Sequence, residues 1–341
     1  MSHISYLKMP LVMLNGTYRY LSYYMNDELA EASFLEHTYL CLRPSLWFDL
    51  FLVALVAVAV TLLRSKLTRE VFVPWAQRWG TTDALLQKVP ENIWKAGFYA
   101  CTWLYSFNVV MIRRPQWFWR PMSIWEDWSL DMSVPRDIYV EYVVQCGFYV
   151  HSVYATIYMD VHRKDYLIML FHHFVTLTLI SFSYITRQHA SGALVLLLHD
   201  ISDVFLELWK LNSNLRWRHD GRHYQTHDVL ANVCFALFVS SWYVCRLYLY
   251  PLTVIRACFH DVYDVLGPDT ELAAFWPLFA LMLVFLLSMN IYWFYLMVTG
   301  LVRYLFIGDI REVDDVREYE SSTDIYQSEH STEQNGHHKS Q

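Results

Sequence analysis

Charge is scarce in this chain. Of 341 residues only 17% are Asp, Glu, Lys or Arg, and much of the acid is gathered after residue 306. No face or run of clustered Lys and Arg is present, which excludes nucleic acid as a partner. Cysteine is also sparse, with six residues and no CxxC spacing. Cys101, Cys146, Cys234 and Cys245 fall within apolar stretches and read as small apolar residues. Cys41 and Cys258 fall outside those stretches, on one side of the membrane argued below, where a disulfide is open to them. The first 45 residues lack a basic region followed by an apolar one, so no cleaved leader is expected. No internal repeat is found.

What the chain has instead is apolar surface. It is 55% hydrophobic and 17% aromatic, with mean hydropathy +0.20. The apolar residues come in blocks of the length that crosses a bilayer core, roughly 20 residues per helix. Seven blocks qualify, at 46–63, 93–112, 138–160, 166–185, 191–211, 228–250 and 274–305. The expected fold is an all-α integral membrane protein with seven transmembrane helices. Only TRQHAS separates the fourth and fifth blocks, which makes them a tight hairpin. Lys and Arg are more numerous on the segments that face the cytosol when the N-terminus is lumenal, although Arg113 and Arg114 oppose that bias. A lumenal N-terminus would also expose the glycosylation sequon at Asn15.

The expected organisation is a lumenal segment 1–45, a first helix 46–63, a short cytosolic linker 64–92, a catalytic domain 93–305 and an acidic, disordered tail 306–341. The stretch RRPQWFWRPMSIWEDW at 113–128 reads as an interfacial aromatic belt.

Within this apolar background the run VLLLHDISDVFLELWKL is anomalous, because it carries His199, Asp200, Asp203 and Glu207. Spacings of three and four residues place all four on one broad face of a helix. The preceding helix carries His172, His173 and Thr176, with Ser183 further along. At 1.5 Å per residue the histidine pair lies about 9–10 Å in from the surface near Tyr166. Asp203 and His199 lie about 12 and 18 Å from the same surface. The two polar patches can therefore meet. Each carboxylate at mid-membrane costs roughly 2.5–3.5 kcal/mol on insertion scales. Ser, Thr or Asn would join helices with less penalty, so the set reads as a site. Three imidazoles and two carboxylates suit either a zinc ion or metal-free acyl transfer, and periodicity does not separate the two. Glu141 and Arg246 read as structural, either paired or with Arg246 at the interface.

The segment LIMLFHHFVTLTLISFSYITRQHASGALVLLLHDISDVFLELWKL (167–211) resembles the signature of the ceramide synthases, a family of TLC-domain membrane proteins. The matching positions are His172, His173, Thr176, Ser181, Phe182, Ser183, Tyr184, Gly192, His199, Asp200, Asp203, Glu207 and Lys210. VPRDIYVEYVVQCGFYVHSVYATIYMD (134–160) and REYE (317–320) are similar to the ceramide synthase 1 branch. Residues 64–92 are too short for the homeobox-like segment of other branches.

The resemblance implies an endoplasmic-reticulum N-acyltransferase that joins a fatty acyl-CoA, stearoyl-CoA for this branch, to a sphingoid base. It implies a six-helix barrel around the acyl chain and a chain-length preference set by the loop at about 258–273. Acyl-CoA is a co-substrate and no bound cofactor or metal is expected. A dimer with itself or with other ceramide synthases is left open.

The expected catalytic residues are His172, His173, His199, Asp200 and Asp203. In the expected route one member of the His172–His173 pair, with His172 preferred, takes the acyl group. His199 or the other member takes the amine proton, while Asp200 and Asp203 orient imidazoles. Thr176, Ser183 and Glu207 are expected to contact substrate. Arg163 and Lys164, with Arg216 and Arg218, are expected to meet the CoA phosphates. The alternatives are a non-enzymatic lipid-handling or scaffolding protein of the same fold and a ceramidase-like membrane zinc hydrolase.

Overall fold

A computed structural model describes residues 46–129, 132–161, 165–266 and 276–307, which form helices and turns with no β-strand among them. Helix α1 (Leu46–Leu67) is apolar on all sides, and only Ala57 and Arg64 of it are buried. Such a helix is stable where its surroundings are lipid. It does not stop at residue 63. A π-helical turn (Thr68–Phe72) carries it into α2 (Val73–Arg78). Most of the expected linker is therefore helical. The path turns at Gly80, whose positive φ of 76° suits a residue without Cβ.

Helix α3 (Lys88–Phe107) runs through a π-helical turn (Asn108–Ile112) and is followed by the short α4 (Pro115–Trp119). The aromatic stretch here is more than an interfacial belt. Trp125 is 1% exposed, and its indole N–H donates to the Ala257 carbonyl at 2.9 Å. Trp119, by contrast, is 63% exposed.

Helices α5 (Arg136–Tyr158), α6 (Tyr166–Ile185) and α7 (His189–Asn214) follow. Three residues join α6 to α7, and Arg187 takes a positive φ of 62° to make that turn. Helix α8 (Gln225–Ser241) continues through π-helical stretches at Trp242–Leu249, Pro251–Ile255 and Ala257–Asp261 into α9 (Val262–Leu266). Pro251 has no N–H to donate, and widened turns are one way a helix passes such a residue. Cys258, expected outside the spans, is thus inside a helical run and buried, 3.8 Å from the Ser191 hydroxyl. Helix α10 (Trp276–Ile307) ends the described chain. Cys41, Asn15, most of the tail and residues 267–275 lie outside the described residues.

Four helical runs are long and apolar enough to cross a bilayer: Leu46–Arg78, Tyr166–Ile185, Gln225–Asp261 and Phe279–Val302. The other long helices, α3, α5 and α7, are more polar because they carry the buried charged residues. The largest packing surfaces are α3 on α7, α7 on α8, and α1 on α5, with α5 also against α6.

Close approach of α1 to α5 depends on Gly147, where a Cβ would stand 2.5 Å from Val56. Near one end of α1, Asp49 accepts hydrogen bonds from the Tyr139 and Tyr184 hydroxyls at 2.8 and 3.0 Å. One half of the bundle is filled by a continuous core that includes Tyr142, Val175, Leu179, Leu194, Leu197, Tyr250, Ile255 and Leu283. The other half encloses a cavity.

Candidate active site

The cavity is lined by α1, α3, α5, α6, α7, the α8 run and α10, and holds about 1490 Å³ of empty space, its open mouth included. Its wall alternates aromatic side chains (Tyr99, Phe148, Tyr149, Trp242, Trp293) with charged ones. Of the residues expected from the sequence, His172, His173, Asp203 and Glu207 are on this wall.

The adjacent histidines diverge, as neighbours on a helix must. His172 meets the edge of the Trp293 ring, with centroids 5.1 Å apart. Its Nδ1 is shut off from solvent and has no hydrogen-bond partner among the described residues. His173 turns toward α5, where its Nδ1 lies 3.5 Å from the Thr156 hydroxyl. The ring centroids of the pair are 5.8 Å apart.

His199 and Asp200 are not on the wall. His199 is one turn deeper than Asp203, beneath a floor formed by Arg246. Its Nδ1 donates to the Val195 carbonyl at 2.8 Å, which leaves Nε2 to accept from the Asn290 amide at 3.0 Å. Both ring nitrogens are therefore engaged. The Tyr250 ring stands edge-on to it at 5.0 Å. Asp200 accepts from Gln145 at 2.8 Å and from Thr102 at 3.1 Å, both buried. Asp203 pairs with Arg246 at 2.8 Å. Among the described residues neither aspartate is hydrogen-bonded to an imidazole, the role expected for them. Their partners come from α3, α5 and the α8 run, which a helical wheel of α7 alone does not show.

Thr176 and Ser183 also lie off the wall. The Thr176 hydroxyl donates back to the His172 carbonyl at 2.9 Å, and that of Ser183 donates to Ile180 at 2.9 Å while meeting the Tyr142 hydroxyl at 3.0 Å. The Ser183 contact explains Gly192: a Cβ there would stand 1.9 Å from the Tyr142 hydroxyl. Arg163 and Lys164 lie outside the described residues. Arg218 is held between aromatic rings, 4.8 Å from the Trp79 centroid and 4.1 Å from that of Tyr224. Arg216 approaches Asp228 at 3.8 Å.

Sequence reasoning missed several wall residues. Arg246 and Glu141 are not a pair. Glu141 is buried and accepts from Ser106. Arg246, 3% exposed, binds Asp203, donates to the His199 carbonyl at 2.7 Å and lies 3.9 Å from the Trp242 ring centroid. It thereby fixes the floor. Arg64, Lys95 and Asp160 are on the wall near the mouth. The available signal was a charged residue inside an apolar run, which in a membrane marks a functional position until explained. Three side chains close enough to share one cation occur at His260, Asp261 and Asp264, none of which lines the cavity.

Comparison with known proteins agrees with the residue pattern. Residues 88–299 match the TLC domain family. The chain is 40% identical over 294 residues to ceramide synthase 1 of Homo sapiens, a match that covers 86% of this chain and 81% of that protein. It is 34% identical over 225 residues to ceramide synthase LOH2 of Arabidopsis thaliana, covering 66% and 72% respectively. With ceramide synthase 5 of Homo sapiens it shares 30% over 239 residues, covering 70% and 56%. A histidine pair on the wall of an intramembrane cavity, within a matched domain of this extent, has one family reading: the chain belongs to the ceramide synthases, multi-pass membrane proteins of the TLC-domain family.

Proposed function

We propose that this chain is a sphingoid-base N-acyltransferase of the endoplasmic reticulum, which takes a fatty acyl group, stearoyl by branch, from acyl-CoA. The relatives named ceramide synthase support the reaction. The observation that carries the chemistry is the His172 imidazole, with a partnerless nitrogen shielded from solvent on the wall of a cavity rich in aromatic side chains.

In the first step a His172 ring nitrogen attacks the thioester carbonyl carbon. A C–N bond forms, the C–S bond breaks, and CoA leaves as the thiolate, which takes up the proton lost by the ring. Burial protects the acyl-imidazole from water. In the second step the neutral sphingoid amine attacks the same carbon, and the amide C–N bond forms as the bond to His172 breaks. The amine proton passes by way of His173, the other imidazole on the wall, to the departing His172 ring, so that both imidazoles end neutral. Asp203 and Arg246 act as one buried ion pair at the floor and set the depth to which substrate enters. Glu207, with Lys210 at 3.4 Å, contacts the substrate nearer the mouth.

The arrangement we favour has seven membrane helices, with six in a TLC barrel formed by 93–305 and α1 placed beside it. The N-terminus is lumenal and the C-terminus cytosolic, so that the mouth faces the compartment that supplies acyl-CoA. The enzyme pairs with itself or with a related synthase. Purified enzyme given labelled acyl-CoA without sphingoid base tests the route. A stoichiometric burst of free CoA and a labelled protein that is absent from His172→Ala are expected. Ternary-complex kinetics with no adduct would instead mean direct attack of the amine on the thioester.

A further inference from the structure

Helix α1 lies outside the residues matched to the TLC domain, and only two of its residues are buried. Arg64 departs from that pattern. It is 5% exposed and turned into the cavity wall, although an arginine at the end of an apolar run could snorkel to the membrane surface.

Its side chain is held from two directions. Nη2 binds Asp160 at 2.5 Å. Nη1 approaches His151 Nε2 at 3.5 Å. The Thr61 hydroxyl, which donates to Ala57, accepts from His151 Nδ1 at 2.8 Å and so leaves Nε2 facing the arginine. The other Asp160 oxygen binds Lys95 at 2.8 Å, and Lys95 also binds Glu91 at 2.6 Å. Arg64, Lys95, Asp160, Glu91 and His151 all line the cavity.

On the basis of the acyltransferase reading, we infer that this cluster, completed by Arg64 of α1, is the subsite that receives the polar head of the sphingoid base. Two arguments favour the amino-diol over the CoA phosphates. The first is position. Asp160, two residues beyond the end of α5, is four residues from Thr156, which touches His173, so the cluster lies about one helical turn, roughly 6 Å, from that imidazole. The amine and its flanking hydroxyls must come that near, because the amine is the nucleophile. The phosphates of CoA are held away from the thioester by the pantetheine arm, roughly 13 Å when extended like four residues of chain. The second is charge. Each cation here is matched by a carboxylate, a mixed set of donors and acceptors that suits an amine with two hydroxyls better than a polyanion. Arg64 is a positioning residue: it holds Asp160, and Asp160 with Glu91 holds the Lys95 ammonium at the wall.

The test compares wild type with Arg64→Gln, Arg64→Lys and Asp160→Asn on two pairs of substrates. One pair is sphinganine and 1-deoxysphinganine, which lacks one head hydroxyl. The other is stearoyl-CoA and S-stearoyl pantetheine, which lacks the phosphates. Wild type without N-acyl transfer would remove the acyltransferase reading itself. With wild type active, Arg64→Gln should raise KM for sphinganine about tenfold, the scale of one lost charge-assisted hydrogen bond. It should also bring sphinganine and 1-deoxysphinganine toward equal kcat/KM, leave KM for stearoyl-CoA in place, and be partly reversed in Arg64→Lys. Equal losses on both sphingoid bases would make the cluster a structural brace only and overturn the inference. A change in the ratio of stearoyl-CoA to S-stearoyl pantetheine would assign the cluster to the phosphates and overturn it as well. If Arg64→Gln does not accumulate in membranes, Asp160→Asn and Arg64→Lys carry the same comparison.

Discussion

Gly192 offers a sharp check on the packing that supports the site. A Cβ at this position of α7 would stand 1.9 Å from the Tyr142 hydroxyl, 3.0 Å from Tyr142 Cζ and 2.9 Å from the Ser183 hydroxyl. The Tyr142 hydroxyl is itself fixed, since it donates to the His189 carbonyl at 3.1 Å and meets Ser183 at 3.0 Å. Gly192→Ala must displace it. Overpacking of this kind costs about 1–3 kcal/mol, and a lost Tyr142 hydrogen bond adds about 1 kcal/mol. The better helix propensity of Ala offsets about 1 kcal/mol. The net expectation is a loss of roughly 1–3 kcal/mol.

Tyr142→Phe alone removes the hydroxyl and its hydrogen bonds, at about 1 kcal/mol. In Gly192→Ala/Tyr142→Phe the atom at 1.9 Å is gone. The double variant should then be no less stable than Gly192→Ala alone, with coupling of about 1 kcal/mol or more. Thermal unfolding followed by tryptophan fluorescence in detergent measures all four proteins. Strictly additive losses would refute the close approach and, with it, the placement of α7 against α5.

The floor of the cavity makes further predictions. Arg246→Met strands the Asp203 carboxylate and should cost about 3–5 kcal/mol, whereas Arg246→Met/Asp203→Leu should recover much of the stability but not the activity; melting and N-acyl transfer separate the two. Asn290→Leu removes the donor to His199 Nε2, leaves that acceptor buried and should destabilise by about 1–3 kcal/mol with a smaller effect on kcat than His172→Ala. His173→Ala should still form the acyl adduct from acyl-CoA and fail in transfer to the amine, while His172→Ala forms none. Gly147→Leu should drive α1 off α5 at Val56 and lower activity through loss of Arg64 from the wall, seen as reduced cross-linking between cysteines introduced in α1 and α5.

The apolar runs located the main helices because the bilayer requires about 20 residues per crossing. The histidine pair and Asp203 were legible for a related reason: charged residues in such runs need an explanation. The wheel of α7 joined His199, Asp200, Asp203 and Glu207 on one face, but could not show that Arg246 closes over His199 while Gln145 and Thr102 take up Asp200. That closure depends on a residue 47 positions away from His199. Arg64 escaped notice because, at the end of an apolar run, it looked like an ordinary interfacial cation. Trp125 looked like a belt residue until its indole was found bonded to a carbonyl 132 residues away. In each case the partner was supplied by tertiary packing.

The most direct test of the central claim uses membranes from cells stripped of their own ceramide synthases and expressing this chain, supplied with sphinganine and a panel of acyl-CoAs. The account predicts N-acylsphinganine from wild type, with stearoyl-CoA preferred, and none from His172→Ala present at equal abundance. Full activity in His172→Ala, or a wild type that is folded, abundant and inactive on every acyl-CoA, would contradict it.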